Sequence, residues 1–313
     1  MLAYFLTFAG LFALAGVCAL AGLHPLAMAI FPAPVALCWL SRAYGRALGL
    51  VICAALVGFW GGGTVAMGIF YIVAAMIGVL MGVVMAWRWP FGWCVAAVTA
   101  AAYLLVAGNV LAYWEESRRE ASIFINARIA ELEQADGETE SVMASALAES
   151  FRWFDANWSN LSLGMLFGMV LLASTALVAY VARRLRGGDT GPTGSFSAMR
   201  LPEWVVWIAI ALALLWFVDR RWPNEMLRLL AWNSAVGVAF VYWLNGFSIL
   251  LHTMSAFSLN PFLCIAIIFG MFYLNAHPAL CAVGLFDTWW DFRLRVARAA
   301  ESRRKSRRPD DEA

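Results

Sequence analysis

The densest polar grouping in an otherwise apolar chain is the stripe Tyr242, Asn245, Ser248 and His252. Spacings of three, three and four place these residues close to one face of a helix. Asn233 and Ser234 lie earlier in the same run, on another face. Polar groups inside a membrane helix face a neighbouring helix or a cavity. Two kinds of chemistry therefore suit the stripe. It hydrogen-bonds to other helices and glues them together, or it lines a site for a small solute. A second grouping is the string Gly284-Leu-Phe-Asp-Thr-Trp-Trp-Asp-Phe-Arg293. Asp287 and Asp291 stand four apart, and Arg295 follows Asp291 at the same interval, which supports a helix. Trp289 and Trp290 mark a membrane interface. This string reads as an exit anchor with local ion pairs, or as a carboxylate site for a cation or a partner's basic side chain.

Classical catalytic patterns are missing from the sequence. It has no GxSxG, no phosphate-binding loop and no HExxH, and Gly61-Gly62-Gly63 reads as a turn between spans. The carboxylates near the apolar runs (Glu115, Asp219, Asp287) sit at their ends. Six cysteines all fall inside apolar runs without a CxxC pair, which is the usage of small packing residues. The expectation is a protein that is not an enzyme and needs no cofactor or metal.

The elements that must position these residues are membrane helices. The chain is 63% hydrophobic and 13% charged, against about 25% charged for a soluble domain. Apolar runs at about 2–23, 25–40, 47–60, 63–87, 94–114, 160–182, 203–219, 226–252, 259–275 and 277–290 suggest eight to ten transmembrane segments. Pro32 and Pro34 require the 25–40 run to be kinked or re-entrant. The 277–290 run is short for a span. The predicted fold is an all-α polytopic bundle.

Residues 115–159 interrupt the apolar pattern with ten acidic residues and four arginines. Ile125, Ile129 and Leu132 form one helical stripe. Met143, Leu147, Phe151, Phe154 and Trp158 form another, with a break at Asp136-Gly137-Glu138. A helical hairpin follows, resting as an amphipathic cap or offering a docking surface. Segment 187–202 reads as a linker rich in Gly, Ser, Thr and Pro, leading to Trp204 and Trp207 at headgroup level. The domain plan is thus an N-terminal bundle over 1–114, the insert 115–159, a C-terminal bundle over 160–292 with a linker at 183–202, and a basic tail at 293–313.

Arginines after the second, fourth and sixth runs and in the tail share one side if both termini are cytoplasmic. The insert then lies outside, and Arg220 and Arg221 dissent. The expected location is a bacterial inner membrane. Expected partners are membrane lipids, anionic ones at the tail, and other membrane subunits, not nucleic acid. The first run carries small residues four apart, Ala9/Ala13 and Ala15/Ala19, and Gly78/Gly82 and Gly164/Gly168 repeat the spacing. Such faces let helices approach closely, within the bundle or against a partner.

The order Phe31-Pro-Ala-Pro34, Ser41-Arg-Ala-Tyr-Gly45, a mid-chain insert, Phe196-x-x-x-Arg200-Leu-Pro202, Asn245-Gly246 and Gly284-Leu-Phe-Asp287…Asp291-Phe-Arg293 resembles the YybS-like family of bacterial polytopic membrane proteins. That family is distantly similar to the S components of energy-coupling-factor transporters. The resemblance marks Arg200, Pro202, Asp287, Asp291 and Arg293 as motif residues. It implies that the small-residue face of the first span contacts a coupling subunit. S components usually have six spans and no such insert. The combined expectation is a carrier for a small, mostly apolar solute acting with partner subunits, its cavity lined by Asn233 and the Tyr242–His252 stripe. The rival expectation is an envelope or division scaffold working through the insert and tail.

Overall fold

The computed structural model describes residues 30–62, 65–133, 138–184 and 195–306, and every element named below lies within them. The run expected at 2–23, with Ala9, Ala13, Ala15 and Ala19, lies outside the described residues. Twelve α-helices follow in order: α1 Pro32–Leu40, α2 Tyr44–Gly62, α3 Val65–Ala86, α4 Phe91–Ala112, α5 Trp114–Glu133, α6 Glu138–Ala156, α7 Trp158–Arg184, α8 Val205–Arg221, α9 Glu225–Ala256, α10 Pro261–Tyr273, α11 His277–Trp290 and α12 Phe292–Ser306. A single 3-10 turn, Phe196–Ala198, precedes α8.

Among the described residues three helices, α4, α7 and α9, are long and apolar enough to cross a bilayer. Helices α10 and α11 pass the same test together but meet at a bend of 108°, as a broken span or re-entrant loop. Shorter apolar helices cover Tyr44–Phe59 and Tyr71–Ala86. The proline-rich run yields α1, with Pro32 in its first turn, where a missing N–H costs nothing. Nine residues at 1.5 Å each span ~14 Å, well short of a ~30 Å hydrocarbon layer.

The chain folds into two compact units, each discontinuous in sequence. The first comprises the described parts of 1–102, 170–203 and 241–313. Here α1 is almost wholly buried against α2 and α3. A Cβ on Gly78 would lie 2.4 Å from the Pro32 carbonyl oxygen, and one on Gly82 would lie 2.8 Å from Trp39 Cβ. The small pair expected from sequence thus serves helix packing. Phe31 meets Tyr71 edge-on at 5.3 Å.

Tight turns join consecutive helices in this unit. After α1, α3, α9 and α10 the chain passes through a left-handed residue: Arg42, Arg88, Ser258 and Asn275. In each case the next residue's N–H reaches back five positions, as from Ala43 to Cys38 at 3.0 Å and from Ala276 to Met271 at 2.9 Å. This is the Schellman closure, which satisfies orphan carbonyls at a helix end. It usually uses glycine. Here L-residues occupy the position at a cost of ~1–2 kcal/mol each.

The second unit comprises 103–169 and 204–240. Its insert forms two helices, α5 and α6, that pack on each other. Ile125, Ile129 and Ala148 form its core, flanked by Leu132, Phe151 and Phe154. The inner face of α6 keeps Phe151 and Phe154 of the expected stripe but not Leu147. Ala144 and Ala148 are buried, whereas Leu147 is 45% exposed. Small residues let α5 and α6 approach, and that close packing outweighs the burial of one leucine. The side chain of Met143 is outside the described set. Arg152 of α6 pairs with Glu133 of α5. Gly164 and Gly168 of α7 face α9, where added Cβ atoms would collide with the Asn233 carbonyl and the Phe240 ring. Helix α8 buries only Val205 and Val206. Its far end carries Arg220 over Trp216 at 4.7 Å and Arg221 over Trp222 at 5.6 Å.

Candidate functional site

The chemistry gathers where α9 meets α11, in the first unit. Two glycines bring these helices into backbone contact. A Cβ on Gly246 would stand 2.0 Å from the Leu280 carbonyl oxygen, and one on Gly284 would stand 2.0 Å from the Tyr242 oxygen. No other residue permits that approach. It lets Asn245 donate from Nδ2 to the Gly284 carbonyl at 2.9 Å.

Helix α11 ends at Asp291, which takes a left-handed conformation with φ 40° and ψ 63°. The expected unbroken helix through Asp287 and Arg295 is therefore two helices. Asp291 instead opens α12, its Oδ1 accepting from the Leu294 N–H at 3.3 Å. Arg295 turns away and donates from Nε to the Trp290 carbonyl at 3.0 Å. The break folds Arg293 back toward Asp287, a juxtaposition that i, i+6 spacing would not produce on a straight helix.

Arg293 and Asp287 form a buried ion pair, Nη1 to Oδ2 at 2.6 Å, with side chains only 4% and 9% exposed. Asp287 Oδ1 also accepts from the Phe292 N–H at 2.9 Å. The other arm of Arg293, Nη2, donates to Asn245 Oδ1 at 3.2 Å and to Ser248 Oγ. Ser248 Oγ reaches the Met199 carbonyl at 3.5 Å. Burial pulls the Arg293 pKa down, and the Asp287 carboxylate pushes it back up. Arginine remains charged at any physiological pH. Breaking such a pair leaves an uncompensated buried charge, which is far costlier than the pair itself is stabilising.

A second, exposed pair flanks the first. Arg200 approaches Asp291 in a two-pronged contact at 3.2 and 3.3 Å. Next to Arg200, Met199 is buried and lies against Gly92 of α4. Phe196 bridges Phe91 and Phe247 at 6.0 and 6.3 Å. The turn before α8 is thereby fastened beside the ion pair.

Two residue groups that sequence reading kept apart thus meet. Asn245 and Ser248 from the polar stripe hold Arg293 from the terminal string, which in turn pairs with Asp287, and Arg200 and Asp291 lie alongside. Tyr242 is buried beside the glycine contact, its hydroxyl without a described partner. The Nε2 of His252 is likewise buried, with no hydrogen-bond partner among the described residues. Pro202 is half-buried in the segment before α8. Asn233 belongs to the other unit, where it clasps α7. Its Nδ2 donates to the Ser159 and Leu229 carbonyls, each at 3.0 Å, and its Oδ1 accepts from the Gly164 N–H at 2.9 Å.

Sequence reasoning missed the aromatic joint at the break between α10 and α11. Trp243 Nε1 donates to His277 Nδ1 at 3.2 Å, Phe272 meets the His277 ring at 5.0 Å, and Trp243 stacks on Phe247 at 5.4 Å. The signal available was the His277-Pro278 start after a short apolar run. Among the described residues no three His, Cys, Asp or Glu side chains come together to hold a metal.

Several apolar helices, two of them meeting at a sharp bend and the second fastened by a buried ion pair, define a helical membrane-embedded protein. Over residues 7–288 the chain matches the family described as "Predicted membrane protein (DUF2232)", and it belongs to that family. It matches no curated protein and no solved structure.

Proposed function

We propose that this protein is a non-enzymatic, multi-pass carrier that binds or moves a small, mostly apolar solute together with partner subunits. The observation that supports this most is the broken span α10–α11, pinned at its end by Asp287 and Arg293 to the polar stripe of α9. Non-helical backbone within a membrane is tolerated where protein buries it or where it lines a cavity. Broken helices carry the solute sites of many transporters. Ionisable residues buried against membrane helices are functional candidates for the same reason. The resemblance to YybS-like proteins and S components points the same way at the level of fold alone. On this reading the chain sits in a bacterial inner membrane with both termini cytoplasmic and the α5–α6 hairpin outside. Ala9, Ala13, Ala15 and Ala19 then form the face that meets a coupling subunit.

The test is native mass spectrometry of the full chain extracted gently from its own membrane. A small molecule of defined mass should co-purify, and Asn245→Leu with Ser248→Ala should release it from protein that still elutes as folded. Solute-free protein in every extraction, carrying protein partners at fixed stoichiometry, overturns the reading in favour of a scaffold. One observation favours that second reading: Phe124 and Trp153 stay 58% and 55% exposed on the hairpin, an apolar surface its own core leaves uncovered.

A further inference from the structure

Helix α12 concentrates the positive charge of this chain. Its fifteen residues carry five arginines and a lysine against one glutamate, whereas the formal charge of the whole chain is only +2. The helix is fastened lengthwise to its unit. Arg293 enters the buried ion pair, Ala300 is 6% exposed, and Arg303 lies over the Phe257 ring at 6.0 Å. These positions, together with Val296, recur at three- and four-residue spacing and define an inward face. Arg295 and Arg298 are left on the exposed side, with Leu294 beside them.

The start of α12 is marked as an interface. Trp289 and Trp290, the last residues of α11, are 58% and 52% exposed. Indole rings at the end of a membrane helix sit at headgroup level. Arg295 is tied to that level through its hydrogen bond to the Trp290 carbonyl, and Arg298 follows within one turn.

We propose that the outward face of α12, built on Arg295 and Arg298 beside Trp289 and Trp290, binds the headgroups of anionic phospholipid. The chemistry is charge-assisted hydrogen bonding from guanidinium to phosphate, reinforced by the negative surface potential of an anionic leaflet. The proposal is independent of whether the protein carries a solute. It gives the terminal helix a role as a brace that holds α11, and with it the Asp287–Arg293 pair, at a fixed depth.

The full chain in neutral detergent is titrated separately with phosphatidylglycerol and phosphatidylcholine, with binding read by native mass spectrometry. Phosphatidylglycerol should bind more tightly, and its advantage should shrink as salt is raised. Arg295→Gln with Arg298→Gln should cut that advantage about 25-fold, at about fivefold per arginine. Arg295→Lys with Arg298→Lys should retain most of it. Arg298→Gln alone should cost about fivefold and covers the case in which the double variant does not fold. Equal affinity for the two lipids, or an unchanged ratio in the glutamine variants, overturns the proposal. Displacement of the lipid by inorganic phosphate at constant ionic strength also overturns it, in favour of a soluble anion.

Discussion

The two helices that meet at the 108° bend, α10 and α11, have opposite fates. Helix α10, PFLCIAIIFGMFY, holds no charged residue and is well begun, with Asn260 capping the Phe262 N–H at 3.0 Å and Pro261 following. Yet it has no buried residue, and Phe262 and Phe269 are 82% and 72% exposed. Helix α11 is less apolar, carries Asp287, and is locked to α9 through Gly246, Gly284, Asn245 and Arg293. Apolarity therefore does not decide which membrane helix packs. Lipid tails solvate leucine as well as a protein interior does, so association depends on close backbone approach and polar contacts. Helix α11 has both, and α10 has neither along most of its length.

That contrast can be broken most severely at the glycines. Gly284→Leu places side-chain atoms where the Tyr242 carbonyl already lies. Overpacking of this kind costs at least ~1–3 kcal/mol, and backbone atoms cannot yield as side chains do. The expected outcome is loss of monodisperse protein in detergent, read by size-exclusion chromatography. Next comes the ion pair. Asp287→Ala should destabilise by roughly 3–5 kcal/mol, because Arg293 stays buried and charged. Asp287→Leu combined with Arg293→Met should recover most of that loss in thermal unfolding. A double variant no better than the single one would mean that the pair is not a structural unit.

The two remaining effects are smaller. Arg200→Ala removes an exposed pair with Asp291, worth at most ~1 kcal/mol and sensitive to salt. The shift in Tm should be small and should vanish at high ionic strength. Phe269→Ala in α10 should leave the midpoint nearly unchanged, since its ring already faces outward. A large drop there would show that α10 packs against something in the membrane and would erase the contrast with α11.

Much of this architecture was legible in the residue order. Runs of apolar residues announce α4, α7 and α9, and the acidic insert announces α5 and α6, because periodicity and length are local properties. The glycine pairs at 78/82 and 164/168 were readable as sites of close approach, and both serve helix packing. On α6, Phe151 and Phe154 pack on the core as the stripe predicts, whereas Leu147 gives way to Ala148, since hydrophobicity favoured the leucine and close approach the alanine. For the site, the polar stripe on α9 and the terminal string were each visible, but not their union.

The sequence by itself determined that this is a helical membrane protein, which segments are apolar, and which polar residues stand out against them. These follow from the bilayer's demand that every backbone group be satisfied within a helix. Only the tertiary structure decided that Asp291 breaks the terminal helix, that Gly246 and Gly284 touch, and that Arg293 returns to Asp287, Asn245 and Ser248. The hydrogen bonds that tie Asn245 and Ser248 to Gly284 and Arg293 join residues 39 to 48 positions apart. They depend on a left-handed turn and a backbone crossing, and neither leaves a periodic trace along the chain.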